Sequence, residues 1–292
     1  MMEKLFSKPN DNPIPDYMHY GFLDHNIYPM NAKIWYDSDE NGSYFCVNDD
    51  RWLTFDKDKK LTKIYLPGLS YIPRKTFNTD VGNPGTFEKF VAAYEAGAFA
   101  KTLEYVEELN LPDVIRIEEN NFGRIGIKTL KIPKCEYIGV GSFRQVPSLM
   151  DIDATSLVWC DDNVFTEVCF DFEHPVTFDF PNLTVTGRWC FNNAFAIRGV
   201  NVPHVRVLGC GAFGCCRLLK EFNGPELREV HNYAFQDCTG MTKFSANKMH
   251  TVGNGVFKNA NNLKELEAEN LGRAGANCHP LVYDVLLQNK MK

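Results

Sequence analysis

The sequence predicts a solenoid of parallel strands, stacked in about nine units of about 22 residues, with a small β cap at one end and a helical cap at the other. A small residue followed by Phe recurs every 22 residues at Phe213, Phe235 and Phe257. Apolar residues also recur thirteen, eight and five positions before each Phe and six after it. The same grid continues toward the N-terminus at Phe191, Phe165, Phe143, Phe122, Phe99 and Phe77. A stacked repeat needs such a pattern because each unit buries its apolar side only against its neighbours.

The composition is that of a globular protein: 292 residues, of which 44% are hydrophobic and 23% are charged. The net charge of -6 argues against nucleic-acid binding, because neutralising phosphates needs clustered Lys and Arg. The opening stretch MMEKLFSKPNDNPIP lacks the apolar segment of a signal peptide, and no apolar run approaches the length of a membrane span. We therefore expect a cytoplasmic or particle-associated protein without membrane insertion.

Residues 1–60 are predicted to form an N-terminal arm and a β cap. The first 32 residues contain Pro9, Pro13, Pro15 and Pro29 in a polar setting, which is typical of an extended arm. The stretch that follows alternates well enough for two or three strands, with a hairpin turn at Asn41-Gly42.

Residues 61–279 are predicted to form the repeats. In each unit, the segment from sixteen to about ten residues before the Phe should be a short strand with alternating side chains, and the rest of the unit should be the return path. The Phe residues should form a ladder in the core. The unit between Phe165 and Phe191 carries an insertion near residues 166–174, since it is longer than its neighbours.

Residues 86–109 are ambiguous. Phe87, Phe90, Val91 and Tyr94 have helical spacing, yet Phe99 lies on the repeat grid. We interpret the segment as a degenerate, more helical repeat, with an inserted helix as the alternative.

Residues 280–292 are predicted to form a helical cap. Leu281, Val282, Val285 and Leu286 lie on one helical face and would cover the open end of the core.

The repeats resemble the BspA-like leucine-rich-repeat family. LTKIYLPGLSYIPRKTF and LLKEFNGPELREVHNYAFQDC are similar to its pattern L-x-x-I-x-x-P-x-x-L-x-x-I-x-x-x-A-F-x-x-C, over about residues 61–279. The resemblance implies a leucine-rich-repeat solenoid that binds proteins without catalysis. Its members include bacterial surface adhesins, protozoan proteins and proteins of phages and large viruses.

Motifs for cofactors, metals and catalysis are weak. Gly209, Gly211 and Gly214 have the G-x-G-x-x-G spacing of a dinucleotide loop, but we assign them to turns of the repeat and predict no cofactor. Of the ten cysteines, Cys216 and Cys238 follow the repeat rather than a disulfide framework, and a zinc site at Cys215, Cys216 and His231 is disfavoured by the ligand spacing. The paired carboxylates Asp151 and Asp153 lack the accompanying groups of a hydrolase. We predict that the protein is not an enzyme.

The candidate partner surface is the exposed side of the strands, at the positions fourteen and twelve residues before each Phe. Residues 151–180 contain eight acids and no Lys or Arg, which suits a protein partner with a basic surface. An acidic face that only keeps the solenoid soluble explains the same residues equally well. The candidate partner-binding residues are Asp151, Asp153, Asp179, Trp189, Asn201, Glu221 and Asn223.

We therefore expect a non-catalytic protein-binding or scaffolding module that uses the exposed sheet face. The alternative is an assembly component of a viral or phage particle or another multisubunit complex, in which the arm would tie subunits into an oligomer. An adhesin-like attachment role ranks lower, since no secretion signal is predicted.

Overall fold

The structure, a computed structural model, describes residues 34–47, 50–58, 60–72, 74 and 105–291. The predicted arm at residues 1–32 and most of the ambiguous segment at residues 86–109 lie outside these ranges. Within them, the chain is a solenoid of parallel strands followed by one helix, which confirms the predicted fold class.

Each turn of the solenoid contributes one strand to what we call the first face. These strands contain the positions that were predicted to form strands, and the residue between the two outward positions is buried in most of them. They are β4 (Leu61–Tyr65), β6 (Glu108–Asn110), β8 (Thr129–Lys131), β10 (Asp151–Asp153), β12 (Val176–Asp179), β14 (Ile197–Asn201), β16 (Glu221–Asn223), β18 (Lys243–Ser245) and β20 (Glu265–Glu267).

Each turn also contributes a second, two-residue strand, which the sequence analysis assigned to the return path. These strands form one nine-stranded parallel sheet, which we call the second face. They are β5 (Tyr71–Ile72), β7 (Arg116–Ile117), β9 (Tyr137–Ile138), β11 (Trp159–Cys160), β13 (Val185–Thr186), β15 (Val207–Leu208), β17 (Glu229–Val230), β19 (Thr251–Val252) and β21 (Arg273–Ala274). The apolar column five residues before each Phe supplies the inward side chain of this sheet, as Leu208 and Val230 show.

Hydrogen bonding on the first face is interrupted, whereas that of the second face is continuous. Strands β4, β6, β8 and β10 pair in order, as do β12 with β14 and β16 with β18 and β20. The first break follows the insertion at residues 166–174, and the register of β12 shifts between Val176 and Thr177. The extra residues therefore disturb the first face and leave the second face in register.

The Phe column forms a continuous stack in the core, as predicted. The ring centroid of Phe213 lies 5.1 Å from that of Phe191 and 5.6 Å from that of Phe235, and the rings are nearly parallel. Phe222 and Phe244, from the first-face strands, pack against Phe235 with their ring edges. The stack runs through Phe122, Phe143, Phe165, Phe191, Phe213, Phe235 and Phe257.

Most of residues 86–109, which we interpreted as a repeat, lies outside the described residues, and the described strands include no turn between β4 and β6. Strand β4 pairs directly with β6, and β5 pairs directly with β7, which leaves no place between them for the two strands of another turn. The described strands still form nine turns, because the last turn, β20 and β21, was not among the predicted units, which were counted by their Phe. In this turn His279 occupies the position at which earlier turns have Phe.

Antiparallel strands precede the first turn. Strands β1 (Ile34–Asp39), β2 (Gly42–Val47) and β3 (Asp50–Phe55) form a meander, and β3 pairs with β4. Gly42 is the first residue of β2 and pairs with Asp39, so the hairpin loop is Glu40-Asn41 rather than Asn41-Gly42. This meander extends the sheet of the first face at its N-terminal end.

Helix α1 (Pro280–Lys290) follows the last turn. The Leu281 N–H donates to Nδ1 of His279 over 3.3 Å, which caps the helix, and Pro280 occupies the first turn, where its missing amide costs nothing. Val282 is fully buried, and Leu281, Val285 and Leu286 pack against the core. The predicted helical cap is confirmed.

Candidate protein-binding surface

Three carboxylates lie together on the first face. Asp151 and Asp153 are the outward residues of β10, and Asp179 is the last residue of β12, the next strand of this face. Asp151 and Asp179 are exposed, and Asp153 is half-buried. Within the described part of the chain, neither Asp151 nor Asp153 takes part in an ion pair. We call these three residues the acidic strip.

Charges on the N-terminal side of the acidic strip are already paired. Lys131 stands beside Asp153 in the register of β8 and β10, but its Nζ donates to Glu108 over 3.0 Å. Lys63 lies 3.7 Å from the same carboxylate. Lys131 and Lys63 are therefore already paired with Glu108.

The C-terminal side of the strip is polar and ends at a second paired cluster. The Asn201 side chain donates to Asp179 over 2.8 Å, and Glu221 and Asn223 are the exposed outward residues of β16. Beyond them, Nζ of Lys243 lies 3.0 Å from both Glu265 and Glu267. The positive charge of Lys243 is therefore already paired on this face. The Lys243 ammonium lowers the pKa of Glu267 by hydrogen bonding.

Two exposed phenylalanines precede Asp179 along the chain. Phe170 and Phe172, in the insertion that precedes β12, are 40% and 50% exposed and pack on the ring of Phe195. The guanidinium of Arg217 lies 5.1 Å from the centroid of that ring. Exposed aromatic rings are typical of binding surfaces. The sequence pattern did not predict an exposed role for these residues, although the longer unit indicated an insertion here.

Trp189 does not lie with the acidic strip. It stands in the turn that follows β13, with a left-handed backbone (φ 52°), and its ring covers Gly211 of the next turn. Six of the seven predicted partner-binding residues thus lie on first-face strands, and Trp189 lies on another side of the solenoid.

The second face carries a stack of larger outward side chains that the sequence analysis did not identify. The Arg116 guanidinium lies 3.8 Å from the centroid of the Tyr137 ring, and the Tyr137 ring meets that of Trp159 edge-on at 6.0 Å. Tyr71 is the neighbour of Arg116 in the register of β5 and β7. We call Tyr71, Arg116, Tyr137 and Trp159 the aromatic stripe.

Carboxylates hold the aromatic stripe in place. Nε of Arg116 donates to Glu118 over 2.6 Å, and the Tyr137 hydroxyl donates to Asp161 over 2.8 Å. Burial and the hydrogen bond to Asp161 raise the pKa of Tyr137 to about 12. Since it stays protonated at neutral pH, Tyr137 remains a donor to Asp161.

Gly209, Gly211 and Gly214 lie in the turn after β15, which confirms their assignment to the repeat. Gly211 has a left-handed backbone (φ 62°), which Gly adopts without steric cost. A Cβ on Gly209 would meet the backbone of Gly187 well inside the 3.0 Å below which such contacts essentially do not occur. The three glycines therefore meet steric demands of the stack.

The cysteines of the zinc hypothesis do not converge. Cys216 is buried and donates to the carbonyl of Phe191 over 3.2 Å, whereas Sγ of Cys215 lies 3.9 Å from a carboxylate oxygen of Asp237. His231 pairs with Glu229 instead. Among the described residues, no group of three or more His, Cys, Asp or Glu side chains could hold a metal ion.

Thiol reactivity should follow burial. All ten cysteines are free and eight are buried, whereas Cys210 and Cys215 are half-buried. Burial raises the pKa of Cys135 to about 12, and burial followed by the nearby Asp237 charge raises that of Cys215, so both are thiols at neutral pH. We expect a disulfide reagent at about pH 8 to modify Cys210 first and Cys215 more slowly. The other thiols should react only after unfolding, and their fast modification in the folded protein would contradict the burial pattern.

Sequence comparison identifies one family model. The model described as "BspA type Leucine rich repeat region" matches residues 53–168, 93–209 and 160–279, in six copies. No curated protein matches the sequence of this chain.

Solved structures with similar folds are distant in sequence. A leucine-rich-repeat protein of T. pallidum (TpLRR) is 16% identical, with a TM-score of 0.41, and the match covers 73% of this chain and 87% of that one. A leucine-rich-repeat protein from Bacteroides ovatus is 13% identical, with a TM-score of 0.36 and coverage of 83% and 77%. The pneumococcal vaccine antigen PcpA is 11% identical, with a TM-score of 0.35 and coverage of 85% and 89%. In the part of the chain that the structure describes, no helix has the length and apolar character needed to cross a membrane.

Proposed function

Since the chain belongs to the BspA-type leucine-rich-repeat family, we propose that it is a non-catalytic protein-binding module that contacts a basic surface of its partner through the acidic strip. A solenoid presents an extended surface because its turns repeat one exposed strand side by side, about 4.8 Å apart. The observation that carries the proposal is the position of Asp151 and Asp153. Both project outward from one strand, and neither has an ion-pair partner within the described residues.

The surroundings of the strip support a protein as the ligand. Phe170 and Phe172, in the insertion that precedes β12, offer exposed aromatic area, and aromatic residues are enriched at protein interfaces. The carboxylates would steer a basic partner and set its orientation. The strands themselves are flat and polar, which suits contact with another macromolecule more than enclosure of a small substrate.

The alternative role in a viral or phage particle depends on the arm at residues 1–32, which lies outside the described residues. We therefore retain the binding module, whose surface is described, as the single proposal. Affinity purification from the native source would identify the partner.

Charge reversal at the acidic strip is expected to weaken the complex. The double variant Asp151→Lys/Asp153→Lys should slow association roughly tenfold or more at low salt, with a smaller effect at high salt, because rim charges act mainly on the on-rate. Its melting temperature should stay close to that of the wild type, since surface substitutions usually change stability by about 0.5 kcal/mol or less. Surface plasmon resonance at two salt concentrations measures the first effect and calorimetry the second.

The first face offers a matched control. Glu265→Lys/Glu267→Lys makes the same change of charge at the equivalent positions of the last turn, five turns away. Association should be slowed by the strip variant and much less by the control. Equal effects of both variants would mean that only net charge matters, and no effect of the strip variant at low salt would exclude this surface.

A further inference from the structure

The two halves of the second face differ in chemistry. Its outward positions are the first residue of each second-face strand and the residue before it. In the N-terminal half these positions hold exposed apolar side chains. They are Tyr71, Ile115, Val158 and Trp159, which are between 39% and 50% exposed. Two charged residues lie among them. Arg116 is exposed and pairs with Glu118, whereas Glu136 is exposed and has no ion-pair partner in the described chain.

The C-terminal half carries cations at the same positions. Arg206 and Arg228 precede β15 and β17, His250 precedes β19, and Arg273 begins β21. All four are exposed, and the three arginines make no ion pair with another described residue. Glu229, the first residue of β17, is the acid among these positions, and it pairs with His231. A mainly apolar half, in which Glu136 is the unpaired charge, thus adjoins a mainly basic half on one regular sheet.

The middle of this sheet carries small outward side chains beside one arginine. Val185 and Val207 are half-buried outward residues of β13 and β15, and the exposed Arg206 precedes Val207. Gly187 and Gly209, which follow these strands, have no side chains to stand above the sheet. A sheet with valines at its centre can pack face to face against another sheet.

The outward side chains of the second face can complement those of a second copy of the same face. A rotation of 180° about an axis that runs along the strands at β13 places two such sheets face to face, with their turns stacked in opposite directions. Strand β9 then faces β17 of the other copy, and β11 faces β15. Glu136 consequently lies opposite Arg228, and the exposed Trp159 lies opposite the turn that contains Arg206, which suits a cation–π contact.

We propose that the second face is a homodimer interface, in which the aromatic and acidic half of one copy packs on the basic half of a second copy about this two-fold axis. Such an interface is isologous, so that each pairwise contact occurs twice. Trp159 would be the main anchor, because large aromatic side chains dominate the binding energy of interfaces.

The size of the sheet sets the expected strength. Nine strands about 4.8 Å apart span about 38 Å, and strands of two to three residues are about 7 to 10 Å long, which gives a small interface of roughly 500 to 800 Å² in total. We therefore expect a dimer that dissociates on dilution, with a dissociation constant in the micromolar range.

Sedimentation analysis of the purified full chain tests the proposal, at concentrations from about 1 to 200 μM, which bracket micromolar affinity. The wild type should shift from monomer to dimer. Glu136→Arg and Arg228→Glu should each raise the dissociation constant about tenfold or more, because each places two like-charged pairs in the interface. Trp159→Ala should do the same, with an unchanged melting curve as evidence of folding.

A mixture of Glu136→Arg with Arg228→Glu gives the decisive measurement. In the mixed dimer both charge pairs have opposite signs again, so heterodimers should form although each variant alone is monomeric. Glu221→Arg, which makes the same change of charge on the first face, should leave the wild-type dimer intact. A monomeric wild type at every concentration, or variants that fail to associate when mixed, would overturn the proposal. None of these outcomes bears on the acidic strip, which faces away from this sheet.

Discussion

Replacing Phe213 or Phe235 by alanine is expected to lower the free energy of unfolding by about 3 to 5 kcal/mol, because it removes a fully buried aromatic ring and leaves a cavity. Each ring also stacks on a neighbour on both sides, at centroid distances of 5.1 to 5.6 Å. Loss of one ring therefore disturbs the contact between three consecutive turns. Denaturant unfolding followed by circular dichroism measures the change.

Phe172→Ala is the matched control for the core variants. It makes the same chemical change at a ring that is 50% exposed, so the loss of stability should be much smaller. Unfolding of Phe213→Ala and Phe235→Ala at the wild-type denaturant concentration would show that the stack does not hold the turns together.

The second large effect is expected for Gly209→Ala, which should destabilise the fold by about 1 to 3 kcal/mol. The added Cβ would meet backbone atoms of Gly187, and backbone atoms of a packed turn cannot move aside as a side chain can. The two turns must therefore separate locally, which lengthens the contacts of the second face.

Gly272→Ala is the control for this substitution. Its added Cβ has the carbonyl oxygen of His250 as its nearest contact, at 3.9 Å, which is an ordinary van der Waals distance. This variant should be neutral or slightly more stable, because alanine has fewer unfolded conformations than glycine. Equal melting temperatures for the two variants would mean that the close approach of turns at Gly209 is not a constraint.

The candidate surfaces show where sequence reasoning stops. The outward positions of β10 and β12 could be derived from the distance to the Phe, since side chains alternate along a strand. The aromatic stripe could not, because its four residues come from four separate strands and follow one another in space only through the register of the second face. Two-residue strands carry too few residues for alternation to be recognised.

For the insertion at residues 166–174 and the ambiguous segment at residues 86–109, the spacing predicted less than the structure shows. The four extra residues between Phe165 and Phe191 were visible in the spacing, but only the structure shows that they expose Phe170 and Phe172. The grid position of Phe99 suggested one more turn, and the direct pairing of β4 with β6 excludes it. Spacing alone cannot tell a turn of the stack from a segment of similar length outside it.

The sequence by itself determined the repeat length, the Phe stack, the first-face strands and the helical cap. It did so because every turn must bury the same apolar columns against its neighbours, which imposes one period on the whole chain. Only the tertiary structure decided the second face, the separation of Trp189 from the acidic strip and the proximity of Tyr71 to Arg116. These features depend on which side of the turn a residue faces and on which strands are neighbours. Exposed residues are not constrained by packing, so they lack the periodic pattern from which the core positions can be predicted.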